Sequence, residues 1–193
     1  MKLALSARAL LTTAAVMAPT AVWAHPGHEG GGGFYAGTAH PLTGTDHVVA
    51  MLLVGVWGGL LARGSRLALL PPVAFLCAML VGFCVSAAIG GGFAEPLILL
   101  SLVVLGAVAA FRFRAPVPLA MAVVAVFGFA HGMAHGYETP SGAVPVLFAG
   151  GFALSTAILH GLGLWLARVV PASLMRMLGA VGAGFGLVLG FAG

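Results

Sequence analysis

Two histidines and an aspartate stand close together where a long apolar stretch of this sequence begins. His40, Asp46 and His47 fall within "AHPLTGTDHVVAM", although the 193-residue chain has only four acidic residues and seven histidines. Seven residues separate His40 from His47, which would place both on one face of a helix, while Pro41 favours an extended His40. Imidazole nitrogen and carboxylate oxygen suit intermediate divalent metals, so these residues are predicted to bind such an ion.

A second group of titratable residues follows in "FGFAHGMAHGYETP". His131, His135 and Glu138 are spaced i, i+4, i+7 and would form one stripe if the helix continues through them. A packing role would not need three titratable groups. The stripe therefore strengthens the prediction of a cation site.

For Asp46, Glu95 and His160, the sequence supports a structural interpretation as well as a functional one. Asp46 and Glu95 both stand at predicted helix starts, where a carboxylate also stabilises the positive end of the helix dipole. His160 lies well inside an apolar run, and a lone membrane histidine often serves as a helix–helix hydrogen-bond donor. Met51, Met121 and Met133 are interpreted as membrane-core residues.

Composition identifies the environment in which these groups lie. The chain is 61% hydrophobic and 6% charged, with a mean hydropathy of +1.14, whereas globular chains carry roughly 25% charged residues. Repeated apolar runs of about 20 residues predict an all-α membrane protein with six transmembrane helices in one bundle. The net charge of +4 comes mainly from arginines in short loops, which reflects membrane topology and not nucleic-acid binding.

The predicted organisation has three parts. Residues 1–24 are interpreted as a signal peptide, with Lys2 and Arg8 before an apolar core and "VWA" as the cleavage site. Residues 25–38 form a His/Gly-rich leader, in which His25, His28 and Glu29 are either a weak metal scavenger or a solvated tail. Residues 39–193 form the membrane domain. Its six predicted spans are Ala39–Ala62, Leu67–Ile89, Pro96–Phe111, Pro116–Gly136, Ala143–Ala167 and Met177–Phe191.

The charges predict the orientation of these spans. Positive residues in short loops stay on the cytoplasmic side, and every acid falls at the opposite span ends. The histidines of the first and fourth spans would then face the exported side, with His160 towards the cytoplasmic end. The arginines used here are Arg63, Arg66, Arg112, Arg114, Arg168 and Arg176.

Both histidine motifs resemble those of the HupE/UreJ family of membrane permeases. The family's His-x5-Asp-His signature is matched by "HPLTGTDH", followed by the family's Ala-Met, and its His-Gly-x-x-His-Gly-x-Glu signature by "HGMAHGYE". The matching positions are His40, Asp46, His47, Ala50 and Met51, then His131, Gly132, His135, Gly136 and Glu138. Glu95 with "SLVVLG" and "LHGLG" around His160 also resemble family stretches. One departure is Ala130, where the family often has phenylalanine; it leaves the ligand positions untouched.

The resemblance implies six spans after a cleaved signal in the bacterial inner membrane, with a periplasmic N-terminus. It further implies uptake of Ni²⁺, or in some members Co²⁺, into the cytoplasm for hydrogenase or urease maturation. The metal would be cargo, and no permanently bound cofactor is expected. The sequence leaves open the choice between nickel and cobalt, the coupling ion and the oligomeric state.

The predicted mechanism is a secondary permease, since no Walker-type phosphate-binding loop occurs in the sequence. A divalent cation moving into a negative-inside compartment gains roughly 4.6 kcal/mol per 100 mV, at about 2.3 per charge. The alternatives are a periplasm-facing metal sensor or assembly factor without transport, and an intramembrane enzyme. An enzyme is disfavoured because His-Glu-x-x-His is absent and no serine stands in a Gly-x-Ser-x pattern.

Overall fold

The computed structural model describes residues 33–90 and 93–192, and within them every regular element is a helix. The predicted signal peptide and the leader residues His25, His28 and Glu29 lie outside the described residues. The first helix begins at Gly33, so the last part of the segment predicted as a leader is helical. The α-helices are α1 Gly33–Thr43, α2 Thr45–Leu61, α3 Leu70–Ile89, α4 Ala94–Phe111, α5 Val117–Tyr137, α6 Pro145–Val169 and α7 Ala172–Ala192, and a 3-10 helix, Arg66–Leu69, precedes α3.

The described residues contain five helices long and apolar enough to cross a membrane. The pair α1 and α2 also passes this test as a unit, but its two helices meet at 86°, so the count rises to six if the bent pair is one span. The chain is therefore an all-α, multi-pass membrane protein, as the sequence predicts.

The first span departs from its prediction because it bends where a straight helix from Ala39 to Ala62 was expected. Pro41 lies inside α1 and removes one backbone donor, and Gly44 is extended, with φ −99° and ψ 115°. His40 thus lies in the last turn of α1 and His47 in the first turn of α2. The prediction that both lie on one face of a continuous helix is wrong, and His40 is helical, not extended.

The other spans begin and end within a few residues of their predictions, apart from the last. Prolines occupy the first turns of α3 and α6. A backbone N–H in the first turn makes no hydrogen bond within the helix, so its absence in proline costs nothing there. Helix α5 ends at Tyr137, so His131 and His135 share its last turns while Glu138 follows directly as the C-cap. Helix α7 begins at Ala172, earlier than the predicted Met177.

Close packing between α3 and α5 depends on small residues at their interface. A Cβ on Gly132 would overlap the carbonyl oxygen of Met79, and one on Gly128 would overlap that of Phe75. Only glycine permits backbones to approach this closely, as is common between membrane helices. The contact brings Phe75 and Met79 of α3 alongside the histidine motif of α5.

The order of these contacts shows how the helices run. Phe75 lies beside Gly128 and Met79 beside Gly132, so α3 and α5 are parallel. Helices α2 and α6 are parallel by the same test, with Gly55 beside His160 and α2 continuing to Gly59 beside Ala167. Parallel packing of alternate helices is what successive membrane crossings require.

Two ends of the bundle differ in charge. At one end, Arg63 after α2 donates from Nη2 to the carbonyl oxygen of Ala167 in α6 at 2.9 Å. At the other end lie Asp46 in the first turn of α2 and Glu138 after α5. The structure thus separates these acids from Arg63, although the side of the membrane that each end faces remains a prediction.

Candidate metal centre

The bend between α1 and α2 brings the first histidine motif over the end of α5. Ring centroids lie 4.8 Å apart for His40 and His135, 4.5 Å for His47 and His135, and 5.2 Å for His47 and His131. These three contacts connect four imidazoles from three helices. Together with two carboxylates they are called here the histidine cluster: His40, Asp46, His47, His131, His135 and Glu138.

Glu138 connects both halves of the cluster. Its Oε2 accepts a hydrogen bond from Nε2 of His40 at 3.0 Å, and Nδ1 of His135 lies 3.4 Å from the same oxygen. One potential ligand atom from each of these three residues falls within 4.8 Å of the others. This spacing is compatible with one ion bound between them after small side-chain movements.

Asp46 and His47 form the second carboxylate–imidazole contact. Oδ2 of Asp46 lies 3.0 Å from Nδ1 of His47, and both side chains are largely buried, at 19% and 14% exposure. This close contact lacks hydrogen-bond geometry, so neither ring nitrogen of His47 has a hydrogen-bond partner among the described residues. Asp46 also lies in the first turn of α2, a position that is compatible with stabilisation of the positive end of the helix dipole.

The buried nitrogens of the cluster are the feature least compatible with a packing role. His131 and His135 are 0% and 1% exposed. Nδ1 of His131 donates to the carbonyl oxygen of Phe127 at 2.9 Å, which leaves a lone pair on Nε2. That Nε2, and both ring nitrogens of His135, have no hydrogen-bond partner within the described parts of the chain. Buried polar groups are normally paired, and a metal-binding histidine typically donates its other N–H to a carbonyl oxygen or a carboxylate.

An open cavity of about 320 Å³ gives access to the cluster. The residues of the bend between α1 and α2 line this cavity. Glu138 at the mouth of the cavity is half exposed, whereas His131 and His135 are buried. The cavity has room for a partly hydrated cation that exchanges its waters for protein ligands. Its lining residues are His40, Thr43, Gly44, Asp46, His47, His135 and Glu138.

Glu138 carries its negative charge across the physiological pH range. Contacts with His135 and His40 hold the pKa of the Glu138 carboxyl well below its usual range, and partial burial opposes this only in part. An ionised carboxylate at the mouth attracts cations and supplies a hard oxygen ligand.

The structure places two predicted residues outside the cluster. Glu95 is exposed in the first turn of α4, and among the described residues no hydrogen bond or ion pair joins it to the histidines. His160 is buried in α6, where its Nδ1 donates to the carbonyl oxygen of Met51 at 2.7 Å. The ring of Phe75 lies between His160 and His131, at 5.1 and 5.3 Å. His160 is therefore one aromatic ring away from the cluster.

Apolar residues around the cluster were not singled out from the sequence. Phe152 lies 4.2 Å from the ring of His135, and Phe148 lies 5.4 Å from that of His40. Nothing distinguishes these phenylalanines from other membrane-core residues in the sequence. Gly44 did carry a signal, because a glycine beside Pro41 at the start of an apolar run is a common helix breaker.

Comparison with known proteins identifies a family and one relative that match most of the chain. The family model described as HupE / UreJ protein matches residues 12–189. Protein HupE of Rhizobium leguminosarum bv. viciae is 35% identical over 159 residues, which cover 82% of each chain. No solved structure matches the chain.

Proposed function

The chain belongs to the HupE/UreJ family, and on that premise we propose that it is a secondary permease that carries Ni²⁺, or alternatively Co²⁺, from the periplasm to the cytoplasm. It would reside in the bacterial inner membrane with its mature N-terminus in the periplasm, and supply nickel for hydrogenase or urease maturation. The metal is cargo in this proposal, and the chain performs no covalent chemistry.

One observation supports this proposal most directly. Buried imidazole nitrogens that have no hydrogen-bond partner in the described parts of the chain surround an open cavity, which also presents two carboxylates. Imidazole with carboxylate is a donor set suited to nickel and cobalt, whereas zinc and cuprous sites more often use thiolates. The two cysteines, Cys77 and Cys84, are both exposed on α3 and are not cavity residues.

The first step of uptake is capture at the cavity mouth. Glu138 attracts the hydrated cation, and His40 releases its hydrogen bond to Glu138 so that both groups can bind the ion. His135 then replaces a further water from below. Because imidazole must be deprotonated at the binding nitrogen, metal arrival displaces protons from this network.

The second step transfers the ion deeper. His47 packs against both His135 and His131. An ion that leaves the cavity mouth can therefore reach the imidazole of His47 and then that of His131 when these side chains move slightly. The lone pair on Nε2 of His131 is available because Nδ1 is already committed to Phe127. The route then continues towards His160, and the membrane potential favours inward movement of the doubly charged ion.

The test is uptake of ⁶³Ni by cells that express the chain, compared with cells lacking it and with cells expressing Asp46→Asn. We expect uptake that depends on the protein and falls strongly in the variant, because asparagine keeps the size of the side chain but removes its charge. A matched control is Ser101→Ala, since Ser101 is buried in α4 and its hydroxyl donates only locally, to Ile98.

The outcome separates the permease from its alternatives. Equal uptake by cells with and without the protein would refute transport. If the purified chain still bound Ni²⁺ in that case, a sensor or assembly factor would be the better interpretation. Unchanged uptake in Asp46→Asn would exclude the first motif from the route.

A further inference from the structure

A second group of metal-binding atoms lies beneath the histidine cluster. It contains His160 of α6, Met51 of α2 and Met79 of α3, all almost completely buried. Phe75 is in contact with both groups, because its ring centroid lies 5.3 Å from that of His131 and 5.1 Å from that of His160. The two groups have no residue in common.

The imidazole of His160 is held in the form that binds metals. Its Nδ1 donates to the carbonyl oxygen of Met51 at 2.7 Å, which fixes the proton on that nitrogen. Its Nε2 therefore carries a lone pair, and this atom is buried without a hydrogen-bond partner among the described residues. The hydrogen bond between α6 and α2 therefore accounts for Nδ1 of His160 but not for its buried Nε2.

Two thioether sulfurs converge one helical turn away. Thr156 lies four residues before His160, on the same face of α6, and is fully buried. Its hydroxyl oxygen lies 3.4 Å from Sδ of Met51 and 3.8 Å from Sδ of Met79. The hydroxyl can donate to either sulfur, so both sulfurs lie around one buried polar atom. Methionine as a filler of apolar gaps does not require this arrangement.

We propose that Nε2 of His160 and the thioethers of Met51 and Met79 form an inner cation site. Thioether is a soft ligand that favours Cu(I) and other soft ions, and imidazole suits nickel, copper and zinc, while Mg²⁺, Ca²⁺ and Mn²⁺ favour oxygen ligands. The carboxylates of the histidine cluster accept ions of both classes. The inner site, which has no carboxylate among its three donors, therefore discriminates against hard cations after capture. Its place on an uptake route rests on the proposed function, whereas its existence as a binding site does not.

The test is X-ray absorption at the nickel edge, on the purified full-length chain loaded with enough Ni²⁺ to fill both sites. We expect a sulfur scatterer in the wild type that disappears in the double variant Met51→Leu/Met79→Leu. Leucine nearly conserves the volume of methionine, so the bundle should remain folded. The matched control is Met133→Leu, because Met133 is equally buried but packs against Ala94 and Ile98, and it should retain the sulfur signal.

Two further variants keep the test valid if the double variant does not fold. The single changes Met51→Leu and Met79→Leu should each weaken the sulfur signal, and His160→Gln should remove one of the bound nickel ions while the chain stays monodisperse. Absence of sulfur in the wild type, or its persistence in the double variant, would overturn the inner site.

Transport measured in parallel separates this inference from the proposed function. In proteoliposomes, we expect Met51→Leu/Met79→Leu to lose the preference for Ni²⁺ over Mn²⁺, while Met133→Leu retains it. A sulfur signal without any nickel uptake would refute the permease and leave the inner site standing. Nickel uptake without a sulfur signal would do the reverse.

Discussion

His40 and Glu138 are 98 residues apart in the chain, yet Nε2 of His40 lies 3.0 Å from Oε2 of Glu138. This hydrogen bond joins the end of α1 to the end of α5, and so links the two sequence motifs that contain the histidines. Because His135 contacts the same carboxylate oxygen, Glu138 is the residue through which both motifs act on one ion.

Replacement of Glu138 by glutamine should therefore weaken metal binding more than its half-exposed position would imply. The amide keeps the size of the side chain but loses the charge that both histidines face. We expect nickel affinity to fall by at least about tenfold, the lower end of the range for disturbed metal sites. Isothermal titration calorimetry on the purified protein measures this. Glu138→Asp should recover part of the affinity, and full affinity in Glu138→Gln would remove Glu138 from the ligand set.

The bend at Gly44 provides a test of geometry that alters no ligand. A Cβ at this position would lie 2.8 Å from Oδ1 of Asp46 and 3.0 Å from Nδ1 of His47. The φ of −99° is ordinary for alanine, so Gly44→Ala should fold and yet displace both side chains. We expect lower nickel affinity with a melting temperature close to that of the wild type.

The control for this variant is Gly161→Ala. Nothing lies within 4 Å of a Cβ placed on Gly161 in α6, so the substitution should change neither affinity nor stability. Wild-type affinity in Gly44→Ala would show that the contacts of Asp46 and His47 at the bend are unimportant for the ion.

Much of this fold follows from apolar runs and prolines that are visible in the sequence. The predictions of the second to fifth spans are correct to within a few residues because their ends carry proline or arginine. The bend between α1 and α2 was not predicted. The continuous apolar run from Val48 to Leu61 indicates one helix, and it does not show that a separate helix precedes this run at a sharp angle. The sharp angle depends on α1 packing across α6, where Ser155 donates to the carbonyl oxygen of Thr38. Such long-range contacts have no local signal.

The candidate site was predictable in its residues but not in its arrangement. The spacing of His131, His135 and Glu138 indicated a shared helix face, and the structure confirms that all three lie at one end of α5. The contacts of His47 with this face, and the position of Phe75 between two histidines, depend on how α2, α3 and α5 pack.

Glu95 should act on capture and not on binding within the cluster. It is exposed at the start of α4, so its charge can raise the local cation concentration without contacting the histidines. We expect Glu95→Gln to raise the KM for nickel uptake several-fold while leaving the maximal rate unchanged. Because exposed charges are screened within about 10 Å at 0.1 M salt, the difference should shrink at high ionic strength. A lower maximal rate that salt does not change would instead place Glu95 among the ligands.

Glu138 should not contribute to the pH dependence of nickel binding near neutral pH. A carboxyl whose pKa is lowered in the folded state contributes stability above its unfolded pKa and loses it only as the pH falls through the lowered value. Glu138 is such a group, because its contacts with His135 and His40 lower the pKa of its carboxyl, so it stays ionised at about pH 5.5. Glu138→Gln should therefore lower nickel affinity by a similar factor at about pH 7.5 and at about pH 5.5.

Calorimetry in two buffers of different ionisation enthalpy counts the protons released as nickel binds. Glu138→Gln should lower the affinity at every pH but leave this number unchanged, because the carboxylate it removes carries no proton in this range. If Glu138→Gln alone altered the proton count, the carboxyl would titrate in this range, and its contacts with His135 and His40 would not lower its pKa as the geometry indicates.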